Sequence, residues 1–412
     1  MNLLTLSFAY LRAQAPNAAL NVVLLAFGVA TIALLLLFSA QLEDRLTRDA
    51  QGIDLVIGAK GSPLQLILSS VYHVDAPTGS VPLGEVERWA ADPRVEAVIP
   101  IALGDTVDGF RIVGTTPAYV DHYRQELAEG RLWASPQEAV LGAEAARRLG
   151  LRLDDMFIAR HGLGGGGAGH TGSPYRVVGL LAPGGTVLDR LALTGLESVW
   201  TTHGIEPPPA ANDPDALKDA TATAPQGGGD GPEVNAFLVR YAAPGAEAEL
   251  PREVNLETRL QAAAPAAELD RLLLLVGTGI DALRVLGALL IAAAVLSVFV
   301  ALWSGLKERR YDMAVMRTLG ARRRTLMVQI VLEGLILASL GLLLGLAIGH
   351  GLAEVAPELV PALRPLGLTG RMMAPGEGAL IALVLAVGVL AALLPALQAY
   401  RTDIAALLGS RG

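Results

Sequence analysis

Cysteine is absent from the sequence. That excludes a disulfide framework, a thiolate metal site and a cysteine nucleophile. Charge is scarce as well: 17% of the residues are Asp, Glu, Lys or Arg, where a soluble globular chain carries about 25%. Aromatic residues make up 5% of a chain that is 52% hydrophobic, so its apolar bulk is Leu, Ala and Val. Basic residues are outnumbered, and a net charge of −8 argues against nucleic acid as a partner. There is no Walker Gly-Lys-Ser/Thr loop, no Gly-x-Ser-x-Gly and no His-Glu-x-x-His. The chain therefore lacks the residues of a P-loop ATPase, an α/β-hydrolase or a zinc peptidase. None of the six histidines has zinc-site spacing. His161 and His170 bracket the Gly-rich stretch Gly162 to Gly169, which reads as a flexible loop. No catalytic residue, metal or cofactor is expected in this chain.

Long apolar runs are what the sequence does have. Residues 18–40, 285–306, 326–352 and 378–400 each meet the length of roughly 20 apolar residues that spans a bilayer. The first run is too long for a signal-peptide core and reads as a retained anchor. The expected layout is a segment 1–17, helix 18–40, an outer domain 41–268, a stalk and second helix 269–306, a charged loop 307–325, helix 326–352, a short loop 353–377, helix 378–400 and a tail 401–412. The loop Lys307 to Arg324 holds seven basic residues against two acidic ones, which places it in the cytoplasm together with both termini. Arg45, Arg48 and Lys60 follow the first run and oppose that orientation. Long domains translocate largely regardless of charge, so the short loop decides.

The outer domain reads as α/β or α+β. Residues 54–57, 95–99, 110–113, 175–180 and 236–240 are short β-rich runs. Residues 84–91 and 143–149 have helical spacing. Residues 206–233 are rich in Pro, Ala, Gly and Asp and read as a disordered insertion.

Three features of the membrane part are candidates for function. Glu308 to Gln329 reads ERRYDMAVMRTLGARRRTLMVQ. At helical spacing Tyr311, Val315, Thr318 and Leu319 share one side, with Met316 close by, and Glu308, Arg309, Asp312 and Arg317 cover much of the rest. Gly320 stands where a helix C-cap glycine would. An apolar set inside a charged rim is the make-up of a docking surface. In the third run Gly341, Gly345 and Gly349 form a ladder suited to close helix packing, within the chain or between subunits. Glu333 is read as the one buried carboxylate of the spans, near enough to Arg322, Arg323 and Arg324 to reach them.

ERRYDMAVMRTLGARRRTLMVQIVLEGLILASLGLLLGLAIG resembles the signature region of the MacB/FtsX/LolC-type permeases of ABC transporters. IDLVIGAKGS, LGEVERWAADPRVEAVIPI, FRIVGTTPAYVDHYRQELAEGRLW, EAVLGAEAARRLGLRLDD and YRVVGLLAPGG resemble, in order, pieces of the MacB-like periplasmic core. Asp312 stands where that family more often has Glu. The resemblance implies a bacterial inner-membrane protein with four transmembrane helices and a large α/β periplasmic domain between the first two. It implies a dimer with a second copy or a homologue, and a separate cytoplasmic ABC ATPase that binds ATP and Mg. A periplasmic adaptor or cargo-delivery protein is a further candidate partner. Glu308, Arg310, Asp312, Met316, Arg317, Leu319, Gly320 and Ala321 become the ATPase-coupling residues. The implied function is mechanotransmission, with ATP hydrolysis moving the periplasmic domain to export or extract a lipid, lipoprotein, peptide or drug-like cargo. The alternatives are an FtsX-like signalling or scaffold subunit controlling a periplasmic partner, and an orphan membrane receptor without an ATPase.

Overall fold

The structure, a computed structural model, describes residues 3–160, 173–202, 232–308, 310–318, 320–360, 363 and 367–401. His161, His170, the Gly-rich stretch, most of the 206–233 insertion and the tail from 402 lie outside the described residues. The helices in chain order are α1 (Leu3–Ala13), α2 (Ala15–Asp49), α3 (Pro63–Ser70), α4 (Leu83–Ala90), α5 (Ala118–His122), α6 (Ala143–Leu149) and α7 (Leu196–Thr202). They continue with α8 (Ala246–Glu257), α9 (Pro265–Glu308), α10 (Arg310–Thr318), α11 (Arg323–Leu359) and α12 (Glu377–Arg401). The strands are β1 (Leu55–Ala59), β2 (Val81–Pro82), β3 (Val95–Val107), β4 (Phe110–Thr115), β5 (Leu127–Gly130) and β6 (Glu138–Leu141). They continue with β7 (Met156–Phe157), β8 (Tyr175–Leu181), β9 (Leu191–Gly195), β10 (Glu233–Val234), β11 (Ala236–Tyr241) and β12 (Leu260–Ala263). The chain forms two compact units, residues 1–44 with 274–412, and residues 45–273.

In the first unit α2, α9, α11 and α12 are long and apolar enough to cross a membrane. They meet in a core of Leu25, Val29 and Ala33 from α2, Ile291 and Ala294 from α9, Ala338 and Leu342 from α11, and Leu380 and Val384 from α12. The helices outrun the apolar stretches. α2 continues from Ala40 to Asp49, and α11 from Leu352 to Leu359. Helical hydrogen bonding does not stop where hydrophobicity does, so polar turns extend each rod. α9 is one uninterrupted helix of 44 residues.

The second unit is built on a ten-stranded mixed sheet, in the order β12-β1-β11-β3-β4-β9-β6-β8-β5, with β7 paired to β8. β4 and β9 are parallel, as are β6 and β8, and the other neighbours are antiparallel. The apolar runs in β1 and β11 follow from burial on both faces. Val56 and Leu238 enter one core with Leu66, Ile67 and Tyr119. Leu55, Ile57, Phe237 and Val239 enter the other with Trp89, Val199 and Trp200. β3 is 13 residues long, well beyond the 95–99 read from sequence. Its first part pairs with β11 and its second with β4, with the register shifting between Leu103 and Thr106. Its apolar alternation breaks at Gly104-Asp105-Thr106, which hides the continuity in sequence. The 206–233 segment is corrected at its end: the Pro232 carbonyl accepts from Leu83 N–H at 3.0 Å, and β10 pairs with β2.

Among the buried titratable groups of this unit are His73 and Glu138. His73 is buried and its Nε2 is 2.9 Å from the Tyr119 hydroxyl. Burial, with Arg111 and Arg190 nearby, pushes its pKa down to about 3, so it is neutral. Glu138 accepts two bonds from Arg131, at 2.7 and 2.5 Å, one from Arg176 at 2.9 Å and one from the Ala134 N–H at 2.9 Å. Those donors, Arg131 first, hold its carboxyl at about 2.

Candidate functional site

The charged block resolves into a nine-residue helix and a turn, because α9 ends at Glu308 and α11 starts at Arg323. Gly320 terminates the small helix. Its φ is +100°, its N–H donates to the Arg317 carbonyl at 3.1 Å, and the Ala321 N–H donates to the Met316 carbonyl at 3.0 Å. This pair of bonds is a Schellman stop. A Cβ at position 320 would meet nothing within 4 Å, so backbone conformation, not space, asks for glycine. Arg322 then turns extended, with ψ 151°, and α11 begins.

α10 is pinned by its methionines. Met313 is buried with Leu306 of α9, Leu326 and Ile330 of α11 and Ala396 of α12, and Met316 packs against the same cluster. Residues i and i+3 share a helix face, so Met316 turns inward beside Met313. Val315 and Thr318 face out, and Thr318 Oγ1 donates to the Val315 carbonyl at 2.7 Å. The grouping of Met316 with Val315 and Thr318 read from the sequence is thereby corrected. Arg317 is half-buried, Gly320 exposed and Ala321 half-buried. The side chains of Glu308, Arg310 and Asp312, and all of Leu319, lie outside what is described.

Behind the two methionines is a cavity of about 40 Å³, lined also by Gln14, Asn21, Gln329 and Glu333. Its lining is mainly apolar with these polar side chains set in it, and it has room for about one or two waters. Gln329 Nε2 donates to Glu333 Oε1 at 3.4 Å, one helical turn along. Ser297 Oγ of α9 donates to Asn21 Oδ1 of α2 at 2.6 Å. Arg322, Arg323 and Arg324 are exposed while Glu333 is 3% exposed, so Glu333 faces the interior of the bundle. The reading of Glu333 as the one buried carboxylate is also corrected. Glu377, in the first turn of α12, is 1% exposed. Its Oε1 accepts from the Ala374 N–H at 3.2 Å, and its Oε2 lies 3.2 Å from His350 Nε2. His350 Nδ1 is 2.6 Å from the Gly370 carbonyl. Asn21 had a sequence signal in hindsight, an amide alone in an otherwise apolar run; Glu377 had none, standing one residue before the fourth run.

The glycine ladder meets α2 of the same chain. A Cβ on Gly341 would come within 2.8 Å of Leu25, one on Gly345 within 2.6 Å of Val29, and one on Gly349 within 3.1 Å of the Ala30 carbonyl. The ladder face is therefore occupied inside the unit. Among the described residues no three His, Asp or Glu side chains come together as a metal site would need.

Known proteins give the following matches. The profile described as MacB-like periplasmic core domain matches residues 18–249, more than half of the chain. The profile described as FtsX-like permease C-terminal matches residues 284–404. No curated protein sequence matches. Among solved structures, the periplasmic region of MacB from Actinobacillus actinomycetemcomitans aligns with a TM-score of 0.34 and 13% identity, over 55% of this chain and 95% of that one. The extracellular domain of the noncanonic ABC-type transporter YknZ from Gram-positive bacteria aligns with a TM-score of 0.31 and 14% identity, over 51% of this chain and 98% of that one.

Proposed function

The chain belongs to the MacB/FtsX-type family of ABC-transporter permeases, and from that premise we propose that it transmits the work of a separate cytoplasmic ATPase to its own periplasmic unit. The carrying observation is the build of the α10 block. Its Schellman stop and inward methionines fix a short helix at the ends of α9, α11 and α12 while Val315 and Thr318 stay exposed. A docking knob needs that combination of an anchored back and a free front. Glu308, Arg310, Asp312, Met316, Arg317, Leu319, Gly320 and Ala321 form the coupling region, with Met316 acting by anchoring the helix. The block and both termini are cytoplasmic in this reading.

ATP and Mg belong to the partner. Closure of two ATPase subunits on a permease dimer pushes α10. The push passes into α9, whose 44 residues measure about 66 Å as one rod. The dimer partner is a second copy or a homologue, and the work exports or extracts a lipid, lipoprotein, peptide or drug-like cargo with a periplasmic adaptor or delivery protein. The test is purification of the intact chain from its membrane with what accompanies it, followed by ATP hydrolysis. A stoichiometric Walker-motif protein is expected, its hydrolysis uncoupled by Arg317→Glu with Gly320→Pro. Unaltered stimulation by that variant refutes the assignment.

A further inference from the structure

Between Gln41 and Asp270 the sequence holds 18 basic and 32 acidic residues. One cleft in the second unit departs from that balance. It measures about 750 Å³ and is lined by Arg48, Arg124 and Arg240 with Asp121 as the one lining carboxylate. Its volume is that of a small-molecule site. The wall between the arginines is aliphatic: Ile53, Ile99 and Leu238 line the cleft and are buried.

The way Arg124 is placed sets this cleft apart from a chance depression. α5 ends in a Schellman stop, with the Arg124 N–H donating to the Asp121 carbonyl at 2.9 Å and the Gln125 N–H to the Val120 carbonyl at 3.1 Å. Arg124 occupies the left-handed position of that motif, with φ +50°. Glycine is the ordinary occupant there, and a side chain costs about 1–2 kcal/mol. Arg48 is accommodated by the opposite device. Gly185, at φ +71°, leaves open a place where a Cβ would stand 3.0 Å from the Arg48 guanidinium. Arg240 is held by Glu96 through bonds of 2.9 and 2.7 Å. His122 closes the floor beside Gly52, its Nε2 2.9 Å from the Gln51 carbonyl. Burial lowers its pKa, so the arginines supply the positive charge. A strained backbone that presents an arginine to a positively rimmed, apolar-walled cleft is a constraint that folding alone does not ask for.

We propose that this cleft binds a phosphate-bearing amphiphile, its anionic group on Arg48 and Arg124 and its hydrocarbon along Ile53, Ile99 and Leu238. A phospholipid headgroup and free phosphate share the anionic chemistry. The apolar wall favours the phospholipid. Binding needs no ATP, so its failure leaves the coupling function standing, and the reverse.

The experiment titrates the full chain in amphipol, without nucleotide, by calorimetry. The probes are dihexanoyl phosphatidylglycerol below its micellar concentration, dihexanoylglycerol and inorganic phosphate. Saturable binding of the phospholipid is expected, at least tenfold tighter than either of the others. Arg124→Gly is expected to weaken it at least tenfold while raising the melting temperature, because glycine relieves the left-handed strain; Arg124→Lys keeps most of the affinity. Equal binding of phosphate makes this a free-anion site and overturns the proposal. Equal binding of dihexanoylglycerol makes it an apolar groove and does the same. So does the absence of saturable binding, or an Arg124→Gly chain that binds as tightly as the native one.

Discussion

The stop at Gly320 is the most exposed weak point of the proposed coupling block. Alanine there keeps φ near +100° only at a cost of about 1–2 kcal/mol. The surroundings add nothing, since a Cβ would meet no atom within 4 Å. The stop is closed by two backbone bonds, each worth about 0.5–1.5 kcal/mol net, so the penalty is comparable to what holds the turn. If the ATPase binds only the closed form, Gly320→Ala weakens docking by up to roughly tenfold, each 1.4 kcal/mol being about a factor of ten. Proline cannot adopt positive φ and has no N–H for the Arg317 carbonyl, so Gly320→Pro removes the stop altogether. The assay is titration of the ATPase against the reconstituted permease, read as stimulated hydrolysis. Gly351→Ala is the control, because Gly351 lies in α11 with nothing within 4 Å, and alanine in a helix interior is neutral or favourable. Equal half-saturation for native, Gly320→Ala and Gly351→Ala chains would refute the requirement for a closed stop.

Gly345→Val is expected to cost about 2–4 kcal/mol, since the added atoms collide with Val29 and the Ala26 carbonyl; thermal melting in detergent measures it, with Gly351→Ala unaffected. Acid should weaken the second unit in two windows. The folded pKa of His73 lies below its unfolded value, so its contribution is present above about pH 6.5 and is lost as pH falls towards 3. Glu138 is depressed in the same sense, so its contribution is present above about pH 4.5 and is lost towards 2. Melting temperature against pH should fall through both windows, and Glu138→Gln should flatten the lower one while costing about 2 kcal/mol at neutral pH. Replacing residues 207–231 with a short Gly-Ser linker should leave the melt unchanged or slightly higher. Trp200 Nε1 donates to the Glu233 carbonyl at 2.7 Å, so the flanks are already tied together, and a shorter loop costs less closure entropy. A large drop would show that the segment packs.

What the sequence alone determined was set by local physics. Runs of apolar residues long enough for a bilayer had to be the spanning helices, whatever they packed against. Gly320 before an arginine cluster had to end a helix, because few other residues accept its backbone angle. The β-rich runs at 54–57 and 236–240 read as short strands, and β1 and β11 form there. Tertiary structure decided everything that depends on a distant partner. Glycines spaced by four show a helix face without saying that α2 fills it. Met313 and Met316 are both apolar, and only the ends of α9, α11 and α12 decide which side of α10 is the inside. β9 comes to lie between β4 and β6, an order no local preference encodes. Arg124 looks like any exposed arginine until α5 ends beneath it and turns its backbone left-handed. Hydrophobicity and backbone preference act over a few residues and can be read along the chain; partners, cavities and strain exist only once segments far apart in sequence are brought together.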